Sequence, residues 1–428
     1  MSVNPHSPEA AAPRGAVAVI CTLDTKGAEA CYLKEKIESS GGRALIIDIG
    51  MAGEPFGVSP DVPREQVAQA AGKSAAEVAK LGRGEACEVM QRGLIPVLTE
   101  LYAKGDIGGA LAIGGSDGAI TAVVAMHALP LGVPKLLVSP ATQGQTPFGP
   151  YVGTSDIMIM HSVVDILGIN QISRKIFDNA VAAVLGMMRS AVSTELRRGG
   201  GQIAATMYGN TTPAVMLAKK LIEARGYEMV VFHPNGTGGR AMENLIDQGV
   251  FDAVFDFTTN ELTDEICGGF HAAGPHRLEA AGRQGIPQLV VPGCVDFLIR
   301  ETKQKLKGKF SRRKSYHFNP VISLVRATST EMAKVGRVMA EKLNAAKGPT
   351  TVLIPLRGFS MYAKRGGPLY DPKGDRAFIV SLTRHLKPHV RVLEEDAWIN
   401  DPAFATHAAT LLLEMLGKPV AKAQAAGT

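Results

Sequence analysis

Ala110–Gly118 reads ALAIGGSDG, four apolar residues running into three glycines within five positions, followed by the helical tract Ala119–Ala128. A short apolar run, a glycine-rich turn and a helix in that order are the signature of a buried parallel strand whose ligand-facing end is the turn. The same grammar appears upstream. Gly15–Cys21 (GAVAVIC) reads as a strand, Thr22–Gly27 as a turn, Ala28–Ser39 as a helix stopped by Gly41-Gly42, and Ala44–Ile49 (ALIIDI) as the next strand. Helical tracts over Arg64–Ala71 and Ala86–Lys104 precede the ALAI strand, and Lys135–Val138 follows it.

The pattern restarts near residue 201. Strands are expected at Gln202–Met207, Glu228–Phe232, Phe251–Phe257, Pro287–Val291, Val321–Arg326, Thr351–Pro355 and Val390–Leu393. Helices are expected at Thr212–Ala224 and Arg240–Gln248. The chain therefore reads as α/β, two Rossmann-like domains with mainly parallel sheets and a ligand cleft between them. A length of 428 residues suits two domains. The boundaries are a loose tail over 1–14, a first domain over 15–200 and a second over 201–428, with the linker at Arg197–Gly201. The last helix, Phe404–Gly417, is free to cross back to the first domain.

Composition narrows the class. Charged residues are 20% and apolar residues 46%, ordinary for a globular protein. Five scattered cysteines, none in C-x-x-C spacing, argue against a disulfide framework or a zinc site and fit a reducing compartment. The N-terminus lacks a signal-peptide core and no segment has the apolar length of a membrane span, so a cytoplasmic protein is expected. The net charge of +6 is concentrated in Lys303, Lys305, Lys307, Lys309, Arg312, Arg313 and Lys314. It reads either as a solvated loop or as a flap attracting anions, and makes a poor case for nucleic acid.

Three turns are candidate anion sites. At a helix N-terminus, unpaired N–H groups and the positive end of the dipole favour phosphate or carboxylate. The first turn holds Asp24, Thr25 and Lys26; the second Gly114, Gly115, Ser116, Asp117 and Gly118; the third Gly236, Thr237, Gly238, Gly239 and Arg240. Each can equally be a capped, tight turn, and Arg240 can instead pair with Glu243. Neither a Walker A ending nor a full dinucleotide fingerprint is present. Thr206, Thr211, Thr212, Thr258, Thr259, Glu261, Gly293 and Asp296 lie at further strand ends, where a helix cap is the commoner role. In Tyr151–Asn179, His161 and Asp165, and Asn170 and Arg174, would share a helix face, as a buried polar network or an acid–base pair. A hydrolase triad has no G-x-S-x-G elbow to rest on. An oxidoreductase would have only Asp48 as a ribose ligand.

Several long stretches together resemble one family: CTLDTKGAE (21–29), AIGGSDG (112–118), YVGTSDIMIMHSVVDILGINQISRKI (151–176), TMYGNTTPAV (206–215), VVFHPNGTGGRAMENLI (230–246), DFTTNELTDEICGG (256–269), GPHRLEAAGRQGIPQLVVPG (274–293), YHFNP (316–320) and WINDPAFA (398–405). They are similar to the Tm-1-like ATP-binding family, named for a tomato protein that inhibits tomato mosaic virus replication. The resemblance implies two Rossmann-like domains, ATP binding and a homodimer. Plant members carry a fused TIM-barrel domain, which here would be a separate partner protein. Pro234-Asn235 and the basic stretch depart from the family pattern, and an antiviral role does not transfer. Two readings follow. One is an ATP-binding protein acting on a small organic acid between the domains, with Asp24, Asp117 or Glu261 holding Mg²⁺ through water. The other is a nucleotide-sensing or interaction module without catalysis.

Overall fold

The computed structural model describes residues 15–140, 149–190 and 199–417. The chain divides into two compact units, 1–194 and 195–428. The expected tail over 1–14, and Arg197 and Arg198 of the expected linker, lie outside the described residues.

The first unit is built on five parallel strands: β1 (Ala16–Cys21), β2 (Ala44–Asp48), β3 (Ile107–Ile113), β4 (Lys135–Ser139) and β5 (Met158–His161). Their order across the sheet is β2-β1-β3-β4-β5. Alternation explains why this sequence makes a sheet covered on both faces. Val17, Val19 and Cys21 enter one core with Leu111 and Leu136, whereas Ala18 and Ile20 enter the opposite core with Ala110 and Ala112. Every β1 side chain is fully buried, and each residue as large as Ile20 is worth roughly 1.5–3 kcal/mol of burial.

The second unit carries six parallel strands: β6 (Gln202–Thr206), β7 (Glu228–Phe232), β8 (Ala253–Asp256), β9 (Gln288–Val290), β13 (Thr350–Pro355) and β14 (Arg391–Glu395). They lie in the order β14-β13-β9-β8-β6-β7. Between β9 and β13 the chain makes a separate antiparallel sheet from β10 (Phe297–Glu301), β11 (Ser315–His317) and β12 (Ile322–Arg326). Thus Val321–Arg326 does not extend the parallel series. Its neighbour Phe297–Glu301 runs antiparallel to it and pairs residue for residue, Leu298 opposite Val325.

Both sheets have a topological switch point, where the chain leaves the first strand to one side and later returns to the other. These points lie between β1 and β3, and between β6 and β8, and ligands of open α/β sheets bind outside the strands' carboxyl ends there. The last helix, Pro402–Met415, stays with the second unit: Phe404, Ala408 and Leu412 share a core with Ile203, Phe255 and Leu353. No helix among the described residues is long and apolar enough to cross a membrane.

Candidate functional site

The first two predicted turns meet. Thr22, Asp24, Thr25 and Lys26 follow β1, Gly115, Ser116, Asp117 and Gly118 follow β3, and all line one cavity of about 600 Å³ at the first switch point. Met51, Ala52, Val78, Leu81 and Ala86 add an apolar wall, and Arg83 and Asp165 add charge. Such a volume suits a nucleotide-sized ligand. The helix Ser116–Met126 starts at Gly115 with no side-chain cap, so its first-turn N–H groups have no competing side chain. Gly115 has φ −71° and ψ −161°, and a Cβ built there meets nothing within 4 Å. Gly114, also predicted, serves packing: its Cβ would press on the Gly118 and Ala119 backbone at 3.0 Å.

The first turn differs from the expectation. The helix begins at Leu23 and bends at Lys26, instead of starting at Ala28. The Leu23 amide donates to Asp48 Oδ1 at 2.9 Å, and the Thr25 and Lys26 amides bond to the Thr22 carbonyl. Asp48, which also takes the Gly50 amide, is therefore a backbone anchor and no ribose ligand. Lys26 Nζ donates to the Ile166 carbonyl, and Gly27 is small because the Phe56-Gly57 backbone crosses it. What this turn offers the cavity is side chains. Asp24 Oδ2 accepts from the Ala52 and Gly53 amides, while its Oδ1 is buried without a partner. Arg83 pairs with Asp117. Two cations against three carboxylates (Asp24, Asp117, Asp165) leave the lining without positive excess.

The third turn is filled from within. Glu261 Oε1 accepts from the Gly236 and Gly239 amides at 2.6 and 3.1 Å, and any Cβ at Gly239 would strike that carboxylate. The amides predicted to cradle a phosphate hold the protein's own anion instead, which corrects the assignment of Gly236, Thr237, Gly238, Gly239 and Arg240. Thr237 opens the helix and Gly238 faces the His233 carbonyl. Arg240 is exposed and its Nε donates to the Gly236 carbonyl; it does not pair with Glu243. Glu261, fully buried, is equally unsuited to hold Mg²⁺.

Glu261 belongs to an ionic cluster that sequence reading missed. Arg277 forks onto Asp256 at 2.6 and 2.8 Å, bonds Glu261 through Nε at 2.7 Å and reaches Glu243 at 3.2 Å. Burial opposes the charge of Arg277, but these carboxylates outweigh it and hold its pKa well above the ordinary value. Nothing in GPHRLEAAG marks this arginine, because its partners lie 16 to 34 residues away.

The other expectations resolve locally. His161 ends β5 and Asp165 sits in the following loop, so they share no helix; Asn170 caps the helix Gln171–Ser190 by accepting from the Ile172 and Ser173 amides. The basic stretch is anchored, not merely solvated: Arg313 forks onto Glu331, and Arg300, Lys309 and Arg313 surround the Phe310 ring.

Two buried carboxyls make the second unit pH-sensitive. Burial pushes Asp264 up to about 8 despite amide bonds from Ile299 and His271, and pushes Asp375 up to about 7 despite Arg326. Unfolded, both ionise near 4. Between that value and their folded pKa values the folded chain retains protons that the unfolded chain has lost, so stability falls as pH rises. His271 acts oppositely: burial lowers it to about 4, and its contribution is lost as pH falls below about 6.5. From pH 6.5 to about 8.5 the carboxyl effect dominates, and stability should drop by about 3 kcal/mol. Urea unfolding followed by Trp398, the single tryptophan, measures this; a flat profile would show both carboxyls already ionised in the folded state.

Comparison with known proteins follows this division. Residues 15–193 match the N-terminal domain and residues 201–416 the C-terminal domain of an uncharacterised protein family, UPF0261. The chain belongs to the UPF0261 family. A UPF0261 protein of Clostridium tetani is 40% identical over 94% of this chain and 99% of its own length. One from Rhizobium meliloti is 37% identical over 90% of this chain and 96% of its own. The ToMV susceptible protein tm-1(GCR26) of Solanum lycopersicum is 32% identical over 93% of this chain, which spans 55% of that protein. The Tm-1-like resemblance of the sequence therefore holds. Among solved structures, a UDP-N-acetylglucosamine 2-epimerase from Rickettsia bellii aligns over 87% of this chain and 96% of its own, at 11% identity and a TM-score of 0.23, too low to carry an argument.

Proposed function

We propose that this UPF0261 member binds ATP, as its magnesium complex, in the cavity between the ends of β1 and β3. The observation that carries the reading is the meeting of two independently predicted turns, Thr22–Lys26 and Gly115–Gly118, on one nucleotide-sized cavity at a switch point. The uncapped helix start at Gly115 supplies amides for phosphate oxygens. The apolar wall of Met51, Val78 and Leu81 offers a dry surface for a base.

Charge decides the form of the ligand. With two cations and three carboxylates in the lining, a free triphosphate would meet net repulsion. A magnesium complex removes that problem, and the orphaned Asp24 Oδ1 is an acceptor for a metal-bound water. Among the described residues no group of three or more His, Cys, Asp or Glu is placed to hold a metal, so the ion would come with the phosphates, as Mg²⁺ commonly does.

The lining favours binding over chemistry. It contains no histidine or cysteine, and Asp24, Asp117 and Asp165 each already accept a hydrogen bond. The test is calorimetric titration with Mg·ATP alongside a melting curve. At a ligand concentration near 100 Kd, binding adds about 2.7 kcal/mol, which raises the first unit's melting temperature by roughly 5–10 °C. ATP should not be consumed on prolonged incubation. Absence of both heat and shift would end the proposal, whereas steady release of ADP would move the protein among the enzymes.

A further inference from the structure

The second unit repeats the architecture of the first, and the loops at its switch point between β6 and β8 carry buried polar side chains with no hydrogen-bond partner in the protein. Asn210 follows β6, and Thr259 and Asn260 follow β8. All three are at most 1% exposed. Both side-chain atoms of Asn210, both of Asn260 and the Thr259 hydroxyl lack any hydrogen-bond partner. The two loops are joined next to them: Thr211 Oγ1 lies 2.8 Å from Thr258 Oγ1, and the Thr258 amide donates to Thr206 Oγ1 at 2.9 Å. Asn210 and Thr259 thus flank a direct contact between the loops. Unpaired buried amides are costly, and native proteins rarely carry several together. Five such atoms lie where an open α/β sheet binds its ligands.

We infer that this second site, independent of the ATP cavity, takes a small neutral polyhydroxylated molecule of sugar or polyol type. Two carboxamides and a hydroxyl offer donors and acceptors in balance and no charge, and a hydroxyl-rich ligand answers both. An anion is disfavoured. The nearby cation, Arg277, is consumed by Asp256, Glu261 and Glu243, and Glu261 adjoins Asn260 in sequence. The Tyr208 ring, in the same loop as Asn210, packs against His233 and His271, with ring centres 4.9 and 5.9 Å away. Because the carboxamides are shut from solvent, binding requires the loops to part, and Tyr208 Oη bonded to His271 Nδ1 is a contact that parting would break.

The experiment is amide hydrogen exchange of the full chain, read at residues 206–211 and 257–261, with D-ribose, D-glucose and myo-inositol as probes and inorganic phosphate as comparator. At least one neutral probe should slow exchange there several-fold while phosphate does not. The variant Asn260→Leu should lose the effect while melting no lower than the wild type, since removing a buried unpaired carboxamide relieves a cost. Its response to Mg·ATP should persist. No slowing by any neutral probe, equal slowing by phosphate, or a high-resolution structure with only ordered water on Asn210 and Asn260 in the presence of the probes would each overturn the inference.

Discussion

Replacing Arg277 by methionine is expected to destabilise the second unit by about 3–5 kcal/mol, the cost of stranding buried charges. The size follows from the geometry. Arg277 is 2% exposed, and Asp256 and Glu261 are as deeply buried. Glu243 would still accept from the Leu278, Glu279 and Ala280 amides; Asp256 would keep the Thr206 hydroxyl, and Glu261 the two glycine amides. Each carboxylate would survive only by taking up a proton or drawing in water. Against a total stability of roughly 5–15 kcal/mol for a typical domain, that loss is large. With a urea slope of about 1–3 kcal/mol per molar, the midpoint reported by Trp398 should fall by at least about 1 M. Arg277→Lys should lie between, because an ammonium cannot fork onto Asp256 while also reaching Glu261. A methionine variant as stable as the parent would mean that the acids are protonated and hold one another without the guanidinium. Mg·ATP binding by the first unit should survive in both variants.

The same cluster shows what a sequence hides. The alternation in GAVAVIC and the glycines after ALAI announce strands and turns because each signal is local: side-chain period, backbone freedom, helix start. Both predicted turns of the first unit converge because β1 and β3 are neighbours, with Ala18 paired to Ala110. That pairing is not written in either stretch. The third turn failed for a related reason. PNGTGGR has every local mark of an anion nest, and it is one; its anion is Glu261, 22 to 25 residues downstream. Local pattern identifies the kind of guest a turn prefers and leaves open whether the fold has already supplied it. His161 and Asp165 were misplaced on a helix because a short strand, MIMH, has no period long enough to separate it from helix. Arg83 and the apolar wall were invisible for the opposite reason: ordinary residues, brought to the cavity from the loop after β2, the short helix Ala75–Val78 and the start of the helix Arg83–Ala103.

Gly115→Leu separates the two meanings a glycine can have in such a turn. If Gly115 is there for backbone conformation, substitution should damage the fold. Its φ of −71° lies in ordinary territory, and the open space around a built Cβ removes any packing objection. The stability of the variant should therefore stay within about 0.5 kcal/mol of the parent, as for a surface change. If Gly115 is there so that backbone can approach phosphate, the isobutyl group projects into the space the ligand needs. Losing one or two charge-assisted hydrogen bonds at about 1.5–3 kcal/mol each lowers Mg·ATP affinity at least about 10-fold. Gly114→Ala is the contrasting change. Its methyl meets the Gly118 and Ala119 backbone and must shift the helix start, so stability and binding should decline together. A Gly115→Leu protein that melts normally and binds Mg·ATP as tightly as the parent would place the phosphates away from this turn, and the helix start at Ser116 would then be a structural corner only.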